Sequence, residues 1–188
     1  YNGKIIQKDI DKAIYYFNLA AKQNHLDALN NLGLIYSNKE YNFYDINKAV
    51  YYFKLASNLN YGEAHFNLAS YYFNNFQIPL AIQYYSYAAS NNHLQSQVNL
   101  GYIYSNGKYI QKNMTKAIYY FTLAAKQNDK RAQYKLSYYY FHGIGVKKNI
   151  ELSLDYLKKS VIQNYNYSLY FYGLILIEGM NVIRDIPK

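Results

Sequence analysis

Small and apolar residues return along this chain at helical spacing, and the whole pattern of them returns at a nearly fixed interval. Ala28, Leu32 and Tyr36 stand at i, i+4 and i+8, and Ala13, Phe17, Ala20 and Ala21 at i, i+4, i+7 and i+8. Each set lies on one face of a helix, so the pattern predicts two helices per unit. The counterparts of Ala13 are Ala49, Ala81, Ala117 and Ser153, at spacings of 36, 32, 36 and 36 residues. Tyr16 is repeated as Tyr52, Tyr84, Tyr120 and Tyr156, and Ala20 as Ala56, Ala88, Ala124 and Ser160. The other helix reads "ALNNLGLIY" from Ala28 and returns from Ala64, Ser96, Ala132 and Ser168. The segment "IYYFNLAAKQN" at Ile14 comes back as "IYYFTLAAKQN" at Ile118, with one change in eleven residues.

A period between 20 and 50 residues indicates a repeat architecture, in which one helix pair cannot bury its stripe alone and its neighbours complete the core. The expected fold is all-α: a right-handed α-solenoid of tandem helix-turn-helix repeats. Gly33, Ala69, Gly101, Ser137 and Gly173 recur at one position of the first helix. Glycine in a helix interior costs about 1 kcal/mol relative to alanine, so its recurrence there predicts close helix packing. Gly107, Gly143 and Gly145 fall in loops, where positive φ suits glycine. Pro79 falls in the first turn of its helix, where the missing N–H costs little. The units run over residues 1–25 (second helix only), 26–61, 62–93, 94–129, 130–165 and 166–188 (first helix only). Both ends read as cut, which predicts a piece of a longer array. At the end, Ile186-Pro187 aligns with Ile78-Pro79.

The unit "A-x3-L-G-x2-Y … G-x-G-V-x-K-N … A-x2-Y-Y … A-A" resembles the Sel-one-like repeat, a relative of the tetratricopeptide repeat. "HGIGVKKNIELSLDYLKKS", from His142 to Ser160, carries its loop best, and "SNGKYIQKNMTKAIYYFTLAA", from Ser105, carries it without the second glycine. The third unit departs by being four residues short around "NNFQIPLA", and the last full second helix by Ser153 and Ser160 in place of alanine. The resemblance implies a non-catalytic scaffold with protein partners on its concave face. Its best-known members are adaptors of a membrane ubiquitin ligase in endoplasmic-reticulum-associated degradation. That resemblance makes ligase-complex subunits the expected partners and the endoplasmic reticulum lumen the expected compartment, with the cytoplasm as alternative.

If the first helices line the concave face, their non-core stripe is the binding surface. The stripe holds Asp27, Asn30, Leu34 and Asn38, then Glu63, Phe66, Ser70 and Asn74, then Gln95, Val98, Tyr102 and Asn106. Arg131, Tyr134, Tyr138 and His142 follow, then Tyr167, Tyr170, Leu174 and Glu178. The candidate groove residues are Asn30, Asn38, Phe66, Asn74, Tyr102, Asn106, Tyr134, Tyr138 and Tyr170. Amides suit peptide backbones, and tyrosine enrichment marks interfaces. The 28 tyrosines also fit a codon-biased composition in which many of them pack between repeats.

Composition narrows the chemistry. With no cysteine there is no disulfide framework, thiol nucleophile or thiolate metal site. No apolar run reaches the roughly 18 residues of a membrane span. "HGIGVKKN" lacks the preceding strand and the Gly-Lys-Ser/Thr ending of a phosphate loop, so it reads as an inter-helix turn. His25 and His93 are too far apart to share a ligand, and neither His65 nor His142 has a second ligand at metal spacing. No enzyme, metal, cofactor or small-molecule substrate is expected. The formal charge is +9, but most lysines fall in loops and at second-helix starts, with Arg131 and Lys135 as exceptions on the concave side. An RNA-binding helical repeat needs base-reading residues along its groove, and it stays the alternative, beside a purely architectural spacer. Between Lys54 and Lys108 the only charged side chain is Glu63, the composition of a covered surface or of an Asn/Tyr-rich one. The sequons at Asn113 and Asn166 are about as many as chance supplies in a chain so rich in asparagine.

Overall fold

The computed structural model describes residues 9–177, and within them the chain is helical throughout. Glu178 and Ile186-Pro187 of the sequence reading lie outside these residues. The ten helices are α1 (Ile10–Ala21), α2 (Leu26–Ser37), α3 (Ile46–Asn58), α4 (Gly62–Asn74), α5 (Ile78–Ser90), α6 (Leu94–Asn106), α7 (Met114–Lys126), α8 (Lys130–His142), α9 (Ile150–Ile162) and α10 (Asn166–Ile177). Even-numbered helices are the first helices of the repeats and odd-numbered ones the second. The architecture is an all-α solenoid of helical repeats. The chain forms two compact units, Tyr1–His93 and Leu94–Lys188.

Periodic polar residues punctuate the helices. Asp9, Asp45, Asn113 and Asn149 cap α1, α3, α7 and α9, each side chain accepting from a backbone N–H two or three residues on. Such caps contribute about 1 kcal/mol. At the other end of each second helix an asparagine takes a left-handed conformation: Asn24, Asn60, Asn92, Asn128 and Asn164 have φ between 51° and 64°. Asparagine tolerates this region better than other non-glycine residues. Gly107, Gly143 and Gly145 adopt φ of 73°, 70° and 72°, as their loop positions predict.

The shortened repeat departs from this pattern between its two helices. Gln77 makes no side-chain cap to α5, although Pro79 sits in the first turn. Phe76 holds a φ of 57° and is 82% exposed. A left-handed L-residue costs roughly 1–2 kcal/mol, and an exposed ring returns little packing. Phe76→Asn is therefore expected to stabilise the protein by about 0.5–1 kcal/mol. A thermal midpoint that does not rise would show that the ring is held by contacts worth more than the strain.

Within each repeat the first and second helices pack closely, and in two repeats a phenylalanine ring is pressed onto a glycine. A Cβ placed on Gly33 would lie 2.4 Å from the Phe53 ring, and one on Gly101 would lie 2.7 Å from the Phe121 ring. Phe53 and Phe121 are buried. Tyrosine pairs lock the same helices together. Tyr36 stacks on Tyr52 and Tyr72 on Tyr84, with centroids 5.7 and 5.4 Å apart. Tyr104 on Tyr120 and Tyr140 on Tyr156 repeat the arrangement at 5.9 and 6.1 Å. Eight tyrosines thus serve architecture. In the second unit the core gathers Val98, Ala117, Phe121, Ala124, Ala132, Leu136 and Tyr139, and Phe141, Leu157, Phe171 and Ile175 form the next cluster. Ser153 and Ser160 keep the small volume of the alanines they replace, and their hydroxyls donate to the carbonyls of Ser137 and Lys130, both at 2.8 Å.

Polar side chains, the buried His65 and Gln133 among them, tie successive repeats. In the first unit the Asn60 Oδ1 accepts from Asn91 Nδ2 at 3.0 Å and from His65 Nε2 at 3.3 Å. His65 Nδ1 lies 2.8 Å from the Ser57 hydroxyl and accepts from it when the ring is neutral. In the second unit the Asn128 Oδ1 accepts from Gln133 Nε2 at 2.8 Å and from Gln163 Nε2 at 3.2 Å. Gln163 also donates to Gln133 Oε1 at 2.9 Å. His65 and Gln133 occupy the same position in their repeats.

Burial lowers the His65 pKa below its ordinary 6.5. In the window just below 6.5 the unfolded chain binds a proton that the folded protein refuses. Stability is full above that window and is lost as pH falls through it toward the lowered folded value. His65→Gln keeps both hydrogen-bonding ends without titrating. It is expected to flatten the slope of the urea midpoint against pH between about 7 and 5. An unchanged slope would assign the acid sensitivity to another group.

Candidate functional site

The first helices present their remaining faces, and each unit builds a different surface there. In the first unit an open cavity of about 500 Å³ lies between α2, α3 and α4. Its floor is Ile46, Val50 and Phe53 of α3, its walls are Leu34 and Ser37 of α2 and Asn67, Ser70, Tyr71 and Asn74 of α4, and Lys39 and Tyr44 stand at the rim. The lining mixes aliphatic carbons with amides and hydroxyls, the composition of a pocket for a side chain and its flanking backbone.

Three of the expected groove residues in this unit sit elsewhere than the stripe implies. Asn30 is buried, its Oδ1 accepting from Asn67 Nδ2 at 2.8 Å, so the cavity meets Asn67 and not Asn30. Asn38 closes the C-terminus of α2 and accepts from the Glu40 N–H at 2.9 Å. Phe66 is half-buried against Tyr85 and His93, with centroids 5.9 and 4.6 Å away. Asn74 lines the cavity. Asp27 accepts from the Tyr61 hydroxyl, and that hydrogen bond, before burial, pushes the Tyr61 pKa up to about 12. Glu63 faces His93 at 3.4 Å.

The second unit carries an aromatic surface. Tyr134 of α8 meets Tyr165, Tyr167 and Phe171 at centroid distances of 5.7, 5.9 and 6.3 Å. Tyr138 packs on His142 at 4.4 Å and on Phe171 at 5.7 Å. Tyr102 of α6 lies edge-on to the buried Phe121, and burial raises its pKa to about 12. Tyr170 is 70% exposed on α10, and Asn106 is exposed at the end of α6. Arg131 donates to Asp129 Oδ2 at 2.7 Å and to Gln95 Oε1 at 2.9 Å, so its charge is already paired. Lys135, one turn on, places its ammonium 5.4 Å from the Tyr102 ring centroid and 5.8 Å from that of Tyr134. Such ring faces attract a cation by about 0.5–2 kcal/mol.

Sequence reading found the aromatic residues of this surface but passed over Asn67, Tyr165 and Phe171. Asn67 was visible in principle, because Asn31, Asn67 and Asn99 recur in phase with the repeat. Among the described residues no three His, Cys, Asp or Glu side chains gather as metal ligands, and no helix is long and apolar enough to cross a membrane. The turn at residues 142–149 joins α8 to α9, with Gly143 closing α8. What the two surfaces offer is shape, ring faces and amide hydrogen bonds, the means of holding a polypeptide.

Comparison with known proteins gives a consistent picture. The Sel1 repeat family profile matches residues 1–25, 26–61, 62–93, 94–129 and 130–165. A protective antigen of uropathogenic Escherichia coli displaying an SLR fold is 25% identical, with a TM-score of 0.87, over 98% of this chain. This chain spans 40% of that antigen's length. A Sel1 repeat protein from Oxalobacter formigenes is 25% identical, with a TM-score of 0.80, over 95% of this chain and 75% of its own. Cysteine rich protein B of Helicobacter pylori is 30% identical over 66% of this chain and 92% of its own, with a TM-score of 0.51, although this chain has no cysteine. No curated protein sequence matches the chain.

Proposed function

The chain belongs to the Sel1 repeat family, whose members are commonly protein-interaction scaffolds and typically not enzymes, and from that premise we propose that it binds partner proteins on the first-helix faces of its repeats. The observation that carries this reading is the pair of surfaces just described. The cavity of the first unit is walled by Leu34, Asn67, Ser70 and Asn74, and the second unit presents Tyr102, Tyr134 and Tyr138. Tyrosine and amide side chains at a partly open surface gain contact area at modest entropic cost.

Within this reading, the family resemblance supports a finer one: an adaptor that delivers clients to a membrane ubiquitin ligase in endoplasmic-reticulum-associated degradation. Affinity capture of the native protein in mild detergent, with mass spectrometry of what accompanies it, tests both levels. Ligase subunits and luminal chaperones among the captured proteins support the finer reading. Another stable assembly removes it and leaves the scaffold. The same capture with Tyr102→Ala, Tyr134→Ala and Asn106→Ala together tests the surface itself. Partners are expected to be lost, whereas a protein acting only as a spacer would lose none, and ribonuclease-sensitive capture would point to RNA.

A further inference from the structure

One position of the first helix carries asparagine in three repeats, as Asn31, Asn67 and Asn99, and lysine in the fourth, as Lys135. Asn67 of this series lines the cavity of the first unit. The change from amide to ammonium therefore falls at a place that lines a cavity in the repeat 62–93, and it puts a full charge between two tyrosine rings.

That charge has no carboxylate within salt-bridge distance among the described residues, where five ion pairs occur and none includes Lys135. Arg131 is the nearest cation along α8, and Asp129 and Gln95 already satisfy it. The rings of Tyr102 and Tyr134 attract the ammonium through their faces but give its three N–H groups no lone pair of matching charge. Burial lowers the Lys135 pKa, so part of its hydration is already gone. A carboxylate arriving here meets a cation that the fold has already partly desolvated, and the pair is screened less than one on open surface.

The first helices of the two units also differ in sign. The helices α6, α8 and α10 carry Lys130, Arg131 and Lys135 and no aspartate or glutamate. The first-unit helices α2 and α4 carry Asp27 and Glu63 and no lysine or arginine. We infer that Lys135, flanked by Tyr102 and Tyr134, is the recognition point for an aspartate or glutamate side chain of an extended partner segment, whose apolar residues lie on the rings beside it. This rests on the reading of the first-helix faces as partner-binding and names the chemistry of the partner for the second unit.

The test is a random dodecapeptide library panned on the full 188-residue chain, followed by affinity measurements with the selected synthetic peptides. Selected peptides are expected to share an acidic residue. Replacing it with its amide and introducing Lys135→Gln are each expected to weaken binding at least about 10-fold, with little further loss when the two are combined. Circular dichroism of Lys135→Gln checks that the helices persist, and Lys135→Arg is expected to keep most of the affinity. Peptides without acidic residues, or affinities that Lys135→Gln leaves unchanged, overturn the inference. If such peptides still lose binding in Tyr102→Ala, the scaffold reading survives without it. If no selected peptide depends on Tyr102 or Tyr134, both fall. A single-stranded RNA 12-mer that binds through Lys135 while no peptide does would also overturn it, the cation then reading phosphate.

Discussion

Phe121→Ala is expected to lower the free energy of unfolding by about 3–5 kcal/mol, read as a fall in the urea midpoint followed by far-ultraviolet circular dichroism. The ring is fully buried, lies in the same core cluster as Val98, Leu136 and Tyr139, and covers the face of α6 at Gly101. Removing it takes away apolar contact and leaves a cavity that two rigid helices cannot close. The glycine is the other half of the fit. Gly101→Ala would gain about 1 kcal/mol of helix propensity, but its Cβ would stand 2.7 Å from the ring, and a buried ring has nowhere to retreat. It is therefore expected to destabilise. The repeat 130–165 carries Ser137 and Leu157 at the same two positions. Gly101→Ser combined with Phe121→Leu should cost less than the two single changes summed, by about 0.5–3 kcal/mol of coupling. Strict additivity would mean that the two positions do not press on each other.

Gln133→Ala is expected to cost about 2–3 kcal/mol, by the same measurement. Gln133 is 1% exposed, donates to Asn128 and accepts from Gln163. Alanine would leave a void where the buried Gln133 side chain stood and would remove an acceptor from Gln163 and a donor to Asn128. Gln133→His copies the residue that stands at position 65. It is expected to keep most of the stability near pH 8 and to lose more of it near pH 5, since a protonated ring cannot accept. A Gln133→Ala protein unfolding at the wild-type urea concentration would show that the polar ladder contributes nothing net.

The repeat period, the pairing of helices and the small residue of each first helix were all legible in the sequence, because apolar spacing reports burial directly. So was the first-turn place of Pro79. The surface was less legible, and Asn30 shows why. It stands two residues after Ala28, on the side of α2 that a one-stripe helix would leave to solvent. But α2 packs on α1 and α3 and also meets α4 through the Asn30–Asn67 hydrogen bond, so more than one stripe is buried. The caps at Asp45 and Asn113 and the left-handed turns at Asn60 and Asn128 also repeat in phase. Their signal was hidden because asparagine is abundant everywhere in this chain, and only the backbone shows which copies have a fixed task. Cross-repeat partners such as Asn128 and Gln163 lie 35 residues apart and leave no local pattern.

The asparagine that turns each second helix has a mechanical consequence. Asn60 and Asn128 each hold side chains of the repeat that follows, His65 and Asn91 for the first and Gln133 and Gln163 for the second. Load applied along the chain is therefore passed from neighbour to neighbour, and the first turn to yield strips the bonds of one adjoining repeat without loosening those farther on. Stretched between two handles, the protein should lengthen in steps, each releasing about 36 residues and hence on the order of 120 Å of contour. The short repeat, with its uncapped α5 and strained Phe76, is where the first step should fall.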